Sequence, residues 1–125
     1  MLVGYARAST EDQPLHRQID ILVAAGVDKR NIYCENISGT KRNRPELNRM
    51  LAELQPGDII VITELSRLSR SLLDTLEISN IIRQKGAGIK SLKEGELDTT
   101  TANGRLQFSI MAVLAEWQRN ITSEQ

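Results

Sequence analysis

The sequence predicts an α/β domain: a mostly parallel central sheet flanked by helices, with a long C-terminal helix at an oligomer interface. Three observations carry this. Short runs rich in Val, Ile and Tyr alternate with segments of helical periodicity, the pattern of strand–helix–strand units. The run IIVIT (59–63) opens with four consecutive apolar residues, as a strand covered on both faces requires. The last segment has apolar residues on two sides of one helix, and such a helix has to bury both.

Residues 2–6 (LVGYA) read as a buried strand. A helix follows, with Leu15, Ile19, Leu22 and Val23 on one face, and Gly26 closes it. NIYCEN (31–36) is a second strand and ISGTKRNR (37–44) a polar loop. Pro45 opens a short helix as a first-turn proline, with Leu47, Met50, Leu51 and Leu54 at helical spacing. After the turn PGD comes the strand 59–63, then a helix from about Ser71 to Lys85 and a fourth strand, IKSL. The loop KEGELDTTT leads into the last helix, from about Ala102. There, Leu106, Ile110, Val113, Leu114, Trp117 and Ile121 form one stripe, and Phe108, Met111, Ala112 and Ala115 a second. One stripe covers the sheet and the other meets a partner chain. The chain stops in mid-helix, which suggests a domain cut from a longer protein.

The 125 residues make one domain with a single core. Sixteen basic and sixteen acidic side chains cancel, so no global field points to nucleic acid or membrane. The single cysteine, Cys34, leaves no disulfide framework or zinc site within one chain. The longest aliphatic run is too short to span a bilayer and no signal-like segment opens the chain, so a cytoplasmic protein is expected.

In open α/β sheets, ligands gather at the carboxyl ends of the strands. Tyr5, Arg7 and Ser9 alternate there, so a strand puts all three side chains on one side, and Gln13 follows. Ser38 and Arg44 come after the second strand, and Ser66, Arg67, Ser69 and Arg70 after the third. Four arginines with several hydroxyls and few carboxylates suit phosphate, because guanidinium forks match its oxygens bidentately. Ser9 directly precedes a helix, whose free N–H groups favour the same ligand. Each part alone has an ordinary explanation as a cap, a solvated helix entrance or a surface loop. Glu94, Glu96 and Asp98 read as a solvated loop rather than a metal site, and His16 as a surface residue. With no second histidine, a Ser-His-Asp hydrolase is disfavoured, and the lack of a carboxylate cluster disfavours a two-metal nuclease.

Taken together, Y-A-R-A-S (5–9), S-G-T…R-P (38–45), L-S-R-L-S-R (65–70) and A-E-W-Q-R (115–119) resemble the serine site-specific recombinases, the resolvase and DNA invertase family, over essentially the whole chain. The resemblance implies that Ser9 is the nucleophile that joins the DNA backbone. It implies that Arg7, Arg67 and Arg70 surround the scissile phosphate, supported by Arg44 and Arg119. Tyr5, Gln13, Gln18 and Ser38 match further active-site positions. It further implies double-stranded DNA as substrate, 5′-phosphoserine links, strand exchange in a tetramer built from homodimers, and no metal or other cofactor. The core would span 1–101, and 102–125 would begin the interface helix, truncated before a helix-turn-helix DNA-binding domain. Ser66 and Glu35 stand where the family commonly has Asp, Gln118 where it commonly has Glu, and Gln125 where Arg is common. A carboxylate role therefore cannot be carried over to residue 66. The alternatives are a phosphate-ester hydrolase or a catalytically idle dimerisation module. Whether the parent protein resolves, inverts, integrates or transposes is not written in these residues.

Overall fold

The computed structural model describes residues 1–8, 14–36, 44–69, 71–94 and 98–124, the side chains of 72, 112, 115, 116 and 118–124 excepted. Four strands, β1 (Leu2–Ala8), β2 (Ile32–Asn36), β3 (Ile59–Ile62) and β4 (Gly88–Ser91), pair in the order β2-β1-β3-β4, and every neighbouring pair is parallel. The helices are α1 (Leu15–Ala24), α2 (Pro45–Glu53), α3 (Leu72–Gln84) and α4 (Ala102–Glu124). Single 3-10 turns, Lys29–Asn31 and Leu65–Arg67, precede β2 and follow β3.

The strand period of two sorts the core into two layers. Val3, Tyr5, Ile60, Ile62 and Ile89 pack with Leu47, Met50, Leu51 and Leu54 from the α2 region and Ile78 and Ile82 of α3. On the other face Ala6 and Val61 pack with Leu22 of α1 and with Val27. So α1 covers one face while α2 and α3 cover the other. The chain reverses direction across the sheet between β1 and β3, and the carboxyl ends of these two central strands flank a topological switch point.

Local chemistry explains the element ends. Gly26, at φ 104, takes the left-handed conformation that ends α1, and its N–H donates to the Val23 carbonyl. Pro45 occupies the first turn of α2, where its missing N–H costs nothing. Ser71 caps α3 by accepting from the Asp74 N–H. Two expectations are corrected. β1 continues past residue 6, because Arg7 and Ala8 pair with Glu35 and Asn36. α1 begins at Leu15 with Pro14 as its N-cap, so it does not supply a helix N-terminus directly after Ser9.

The two apolar stripes of α4 part ways. Phe108 is buried against the domain, whereas Leu106, Ile110, Val113, Leu114 and Trp117 are all exposed. The start of α4 is seated through Gly104, which is buried where a Cβ would overlap the Asp98 main chain. Gly104→Ala should therefore destabilise the domain by about 1–3 kcal/mol, the usual cost of overpacking. Alanine at the exposed neighbour Asn103 should leave stability within about 0.5 kcal/mol. Urea unfolding midpoints of the two variants test this seat.

Candidate active site at the ends of β1 and β3

Arg7 is fully buried near the end of β1, and Arg67, 5% exposed, ends the 3-10 turn after β3. Each holds the other. Arg7 Nε donates to the Arg67 carbonyl at 3.0 Å, and Arg67 Nη1 donates back to the Arg7 carbonyl at 3.2 Å. Arg7 Nη2 also donates to the Ser66 carbonyl, and Arg44 Nη1 donates to that of Leu68. Three consecutive carbonyls of one turn thus accept from two guanidinium groups. The 3-10 turn places these acceptors at its carboxyl end, where helix-like peptide dipoles attract cations.

Gln18, fully buried on α1, clips the main chain of the same arginine. Its Oε1 accepts from the Arg7 N–H at 3.2 Å and its Nε2 donates to the Arg7 carbonyl at 2.9 Å. The pairing of β1 with β3 reaches Gly4 opposite Val61, and beyond it the Gln18 amide satisfies backbone groups that a strand would otherwise serve.

Carboxylates are more numerous here than the sequence led us to expect. Glu64 Oε1 accepts from Arg67 Nη2 at 2.8 Å, and Asp74 Oδ2 from Arg44 Nη2 at 3.0 Å. Glu35 is 5% exposed; it accepts the Tyr5 hydroxyl and the N–H groups of Glu46 (3.0 Å) and Leu47 (3.3 Å). It thereby closes the N-terminus of α2, where a negative charge is favoured. Along the sequence, Glu64 and Asp74 stand beside a turn and a helix start, where charges are ordinarily solvated. The three-residue spacing of Glu64 and Arg67 was the available signal. Burial pushes the Glu64 carboxyl up, but hydrogen bonds and charges from Lys93 and Arg67 outweigh it and hold it below its ordinary value.

Of the ten residues expected at the site, Arg7, Arg67, Gln18 and Arg44 are brought together around the one turn after β3, and Tyr5 joins a neighbouring set centred on Glu35. Tyr5 is a core residue whose phenol is directed to Glu35. Ser9, Gln13, Ser38 and Arg70 lie outside the described residues, as does the side chain of Arg119. Cys34 is half-buried, and burial raises its thiol pKa, which disfavours a thiolate nucleophile. His16 is exposed, in keeping with a surface role. Among the described residues no group of three or more His, Cys, Asp or Glu could hold a metal ion.

A family profile described as Resolvase, N terminal domain, matches residues 2–125. The chain belongs to the resolvase family of serine recombinases. The resolvase domain is 53% identical to a resolvase of Clostridium perfringens over 126 residues, covering 99% of this chain and 67% of the relative. It is 41% identical to the Tn917 resolvase of Enterococcus faecalis, covering 99% of this chain and 66% of that protein. The serine recombinase gin of Escherichia phage Mu is 39% identical, with coverage of 99% and 63%. The chain thus spans about two thirds of these relatives. Among solved structures, the N-terminal catalytic domain of TP901-1 integrase superimposes with a TM-score of 0.83 at 30% identity, covering 97% of this chain and 98% of that one. The function of the resolvase domain is site-specific recombination, an enzymatic cutting and rejoining of DNA. No helix among its described residues is long and apolar enough to cross a membrane.

The Tyr5 phenol offers a pH test of the buried network. Burial, then the hydrogen bond and charge of Glu35, raise its pKa well above the ordinary 10.0, while Arg44 and Arg7 act in the opposite sense. Its proton is held more tightly in the folded state, so this stability is fully present below pH 10 and is lost as pH rises further. At neutral pH, Tyr5→Phe should cost about 1 kcal/mol, the worth of one hydrogen bond. Above pH 10 the wild type should lose stability more steeply than Tyr5→Phe. Urea titrations across that range read the difference, and Tyr33, with a phenol pKa raised to about 12, is common to both proteins.

Proposed function

We propose that Ser9 is the nucleophile of this recombinase and that Arg7, Arg67 and Arg70 receive the scissile phosphate, with Arg44 behind them. The supporting observation is the reciprocal Arg7–Arg67 lock at the switch point, which lies on the strand end that leads into Ser9. Ser9 gives up its hydroxyl proton as Oγ attacks phosphorus; an O–P bond forms, the bond to the 3′ oxygen breaks, and that oxygen takes up one proton as the 3′ hydroxyl, so no net proton is gained or lost. The reverse attack by a 3′ hydroxyl of the exchanged strand releases Ser9. Charge that develops on the phosphoryl oxygens meets guanidinium groups already held in place, so little reorganisation accompanies the step. The same positive field favours the serine alkoxide and offsets the missing histidine base.

The working assembly is a homodimer that pairs into a tetramer on two double-stranded DNA sites, within the cytoplasm of a bacterial host. We assign residues 1–101 to the catalytic core and 102–125 to the start of the interface helix. The exposed stripe Leu106, Ile110, Val113, Leu114 and Trp117 supports an interface on this side of α4. Gln13, Ser38 and Arg119 complete the site.

Nicked suicide substrates in EDTA test the nucleophile in the full-length protein. A covalent protein–DNA adduct should form without metal and disappear in Ser9→Ala; persistence of the adduct would refute the assignment. Arg67→Ala should slow adduct formation by about two to three orders of magnitude if the guanidinium acts as a single transition-state donor. For the interface, Ile110→Glu should weaken self-association in sedimentation experiments, whereas unchanged association would place the contact elsewhere.

A further inference from the structure

Among the described residues, Arg67 meets constraints of two kinds. Its Nη1 is tied to the Arg7 carbonyl, a main-chain anchor that sets where the guanidinium lies. Its Nη2 is tied to the Glu64 carboxylate at 2.8 Å, an ionic anchor that sets how the plane is turned. Glu64 is itself fixed at its other oxygen, where Lys93 Nζ donates to Oε2 at 3.1 Å. Glu64 follows β3 closely and Lys93 follows β4, so the carboxylate spans from the second of these strand ends to the buried arginine.

Local burial separates the two partners of Glu64. The Arg67 side chain is 6% exposed, that of Glu64 is 22% and that of Lys93 is 70%. The Glu64–Arg67 contact is therefore shielded from water, whereas the lysine contact is solvated and weak. Without the carboxylate, the Arg67 guanidinium would keep its main-chain tether yet lose an ionic contact that constrains its rotation. An arginine that is displaced or turned by about 1 Å can cost roughly a hundred-fold in a step that depends on aligned donors.

We propose that Glu64 is a positioning residue for DNA cleavage, acting through Arg67, with Lys93 as a minor outer support. This rests on the reading of Arg67 as a phosphate-binding group. Glu64 does not touch the DNA. It orients the guanidinium that does, so its removal slows the chemical step without weakening the encounter with DNA.

The test is a double-mutant cycle in the full-length protein, read as the single-turnover rate of covalent adduct formation on a nicked substrate, with DNA affinity measured in parallel. Glu64→Ala should slow cleavage about ten- to a hundred-fold with unchanged affinity, a loss confined to the transition state. Glu64→Gln, which keeps an acceptor oxygen of the same reach, should recover part of the rate. Lys93→Ala should change the rate by no more than about three-fold, as expected for an exposed ion pair. In Arg67→Ala, adding Glu64→Ala should have no further effect, because the residue it orients is gone. Independent, multiplying losses would overturn the proposal, as would full cleavage activity in a folded Glu64→Ala protein. If Arg67→Ala itself cleaves at the wild-type rate, the phosphate-binding assignment of Arg67 fails, and the inference about Glu64 fails with it. If Arg67→Ala is slow and Glu64→Ala is not, only the inference about Glu64 is refuted. Should Glu64→Ala fail to fold, Glu64→Gln carries the cycle alone, and additivity in that cycle counts against the proposal in the same way.

Discussion

The site depends on one turn. After β3 the chain folds into a 3-10 turn, Leu65–Arg67, and the carbonyls of Ser66, Arg67 and Leu68 accept from the guanidinium groups of Arg7 and Arg44. Peptide carbonyls offer partial negative charge without a titrating group, so they hold arginines at every working pH. They are also part of the main chain and cannot rotate away. Because Arg67 ends the same turn and reaches back to the Arg7 carbonyl, the two central strands are linked at their carboxyl ends beyond the last rung of their own pairing.

Burying charge is costly unless each charge is paired and hydrogen-bonded. Arg7, Arg44 and Arg67 are all buried, and Glu64 and Asp74 neutralise two of them at the rim. Glu35 serves a different purpose. It satisfies the N-terminus of α2 and the Tyr5 hydroxyl, and so fixes the helix that starts immediately after Arg44. The arrangement favours preorganisation over simple stability. Apolar residues of similar volume would pack as well, so what the arginines add is positive charge held in a fixed place.

The long helix α4 divides labour between its faces. Phe108 anchors its first turns to the domain beside Gly104, whose lack of a side chain lets the helix approach the Asp98 main chain. The stripe that contains Phe108 is the one that faces inward there. The outward stripe is the one led by Leu106. Periodicity identifies two apolar faces but does not say which meets the sheet, because both have the same spacing. The side chain of Gln118 lies outside the described residues.

The order of strands and helices was legible in the amino-acid sequence because period, caps and turn residues are local. Pro45 at a first turn, Gly26 after α1, and the unbroken apolar run of β3 each act over a few residues. The ordered motifs around Tyr5, Arg7, Ser9 and Arg67 resemble those of the serine recombinases, and it is that resemblance, not local geometry, that pointed to a recombinase without any coordinates. What the chain could not disclose alone is pairing between distant segments. The end of β1 was set by β2, the role of Gln18 by the end of the β3 ladder, and the charge state around the arginines by Glu64 and Asp74. Along the sequence Gln18 stands out only through the family resemblance, and Glu64 and Asp74 carry no local sign of their partners. Only the tertiary fold decides which main-chain carbonyl a guanidinium meets, because that contact joins residues about sixty positions apart.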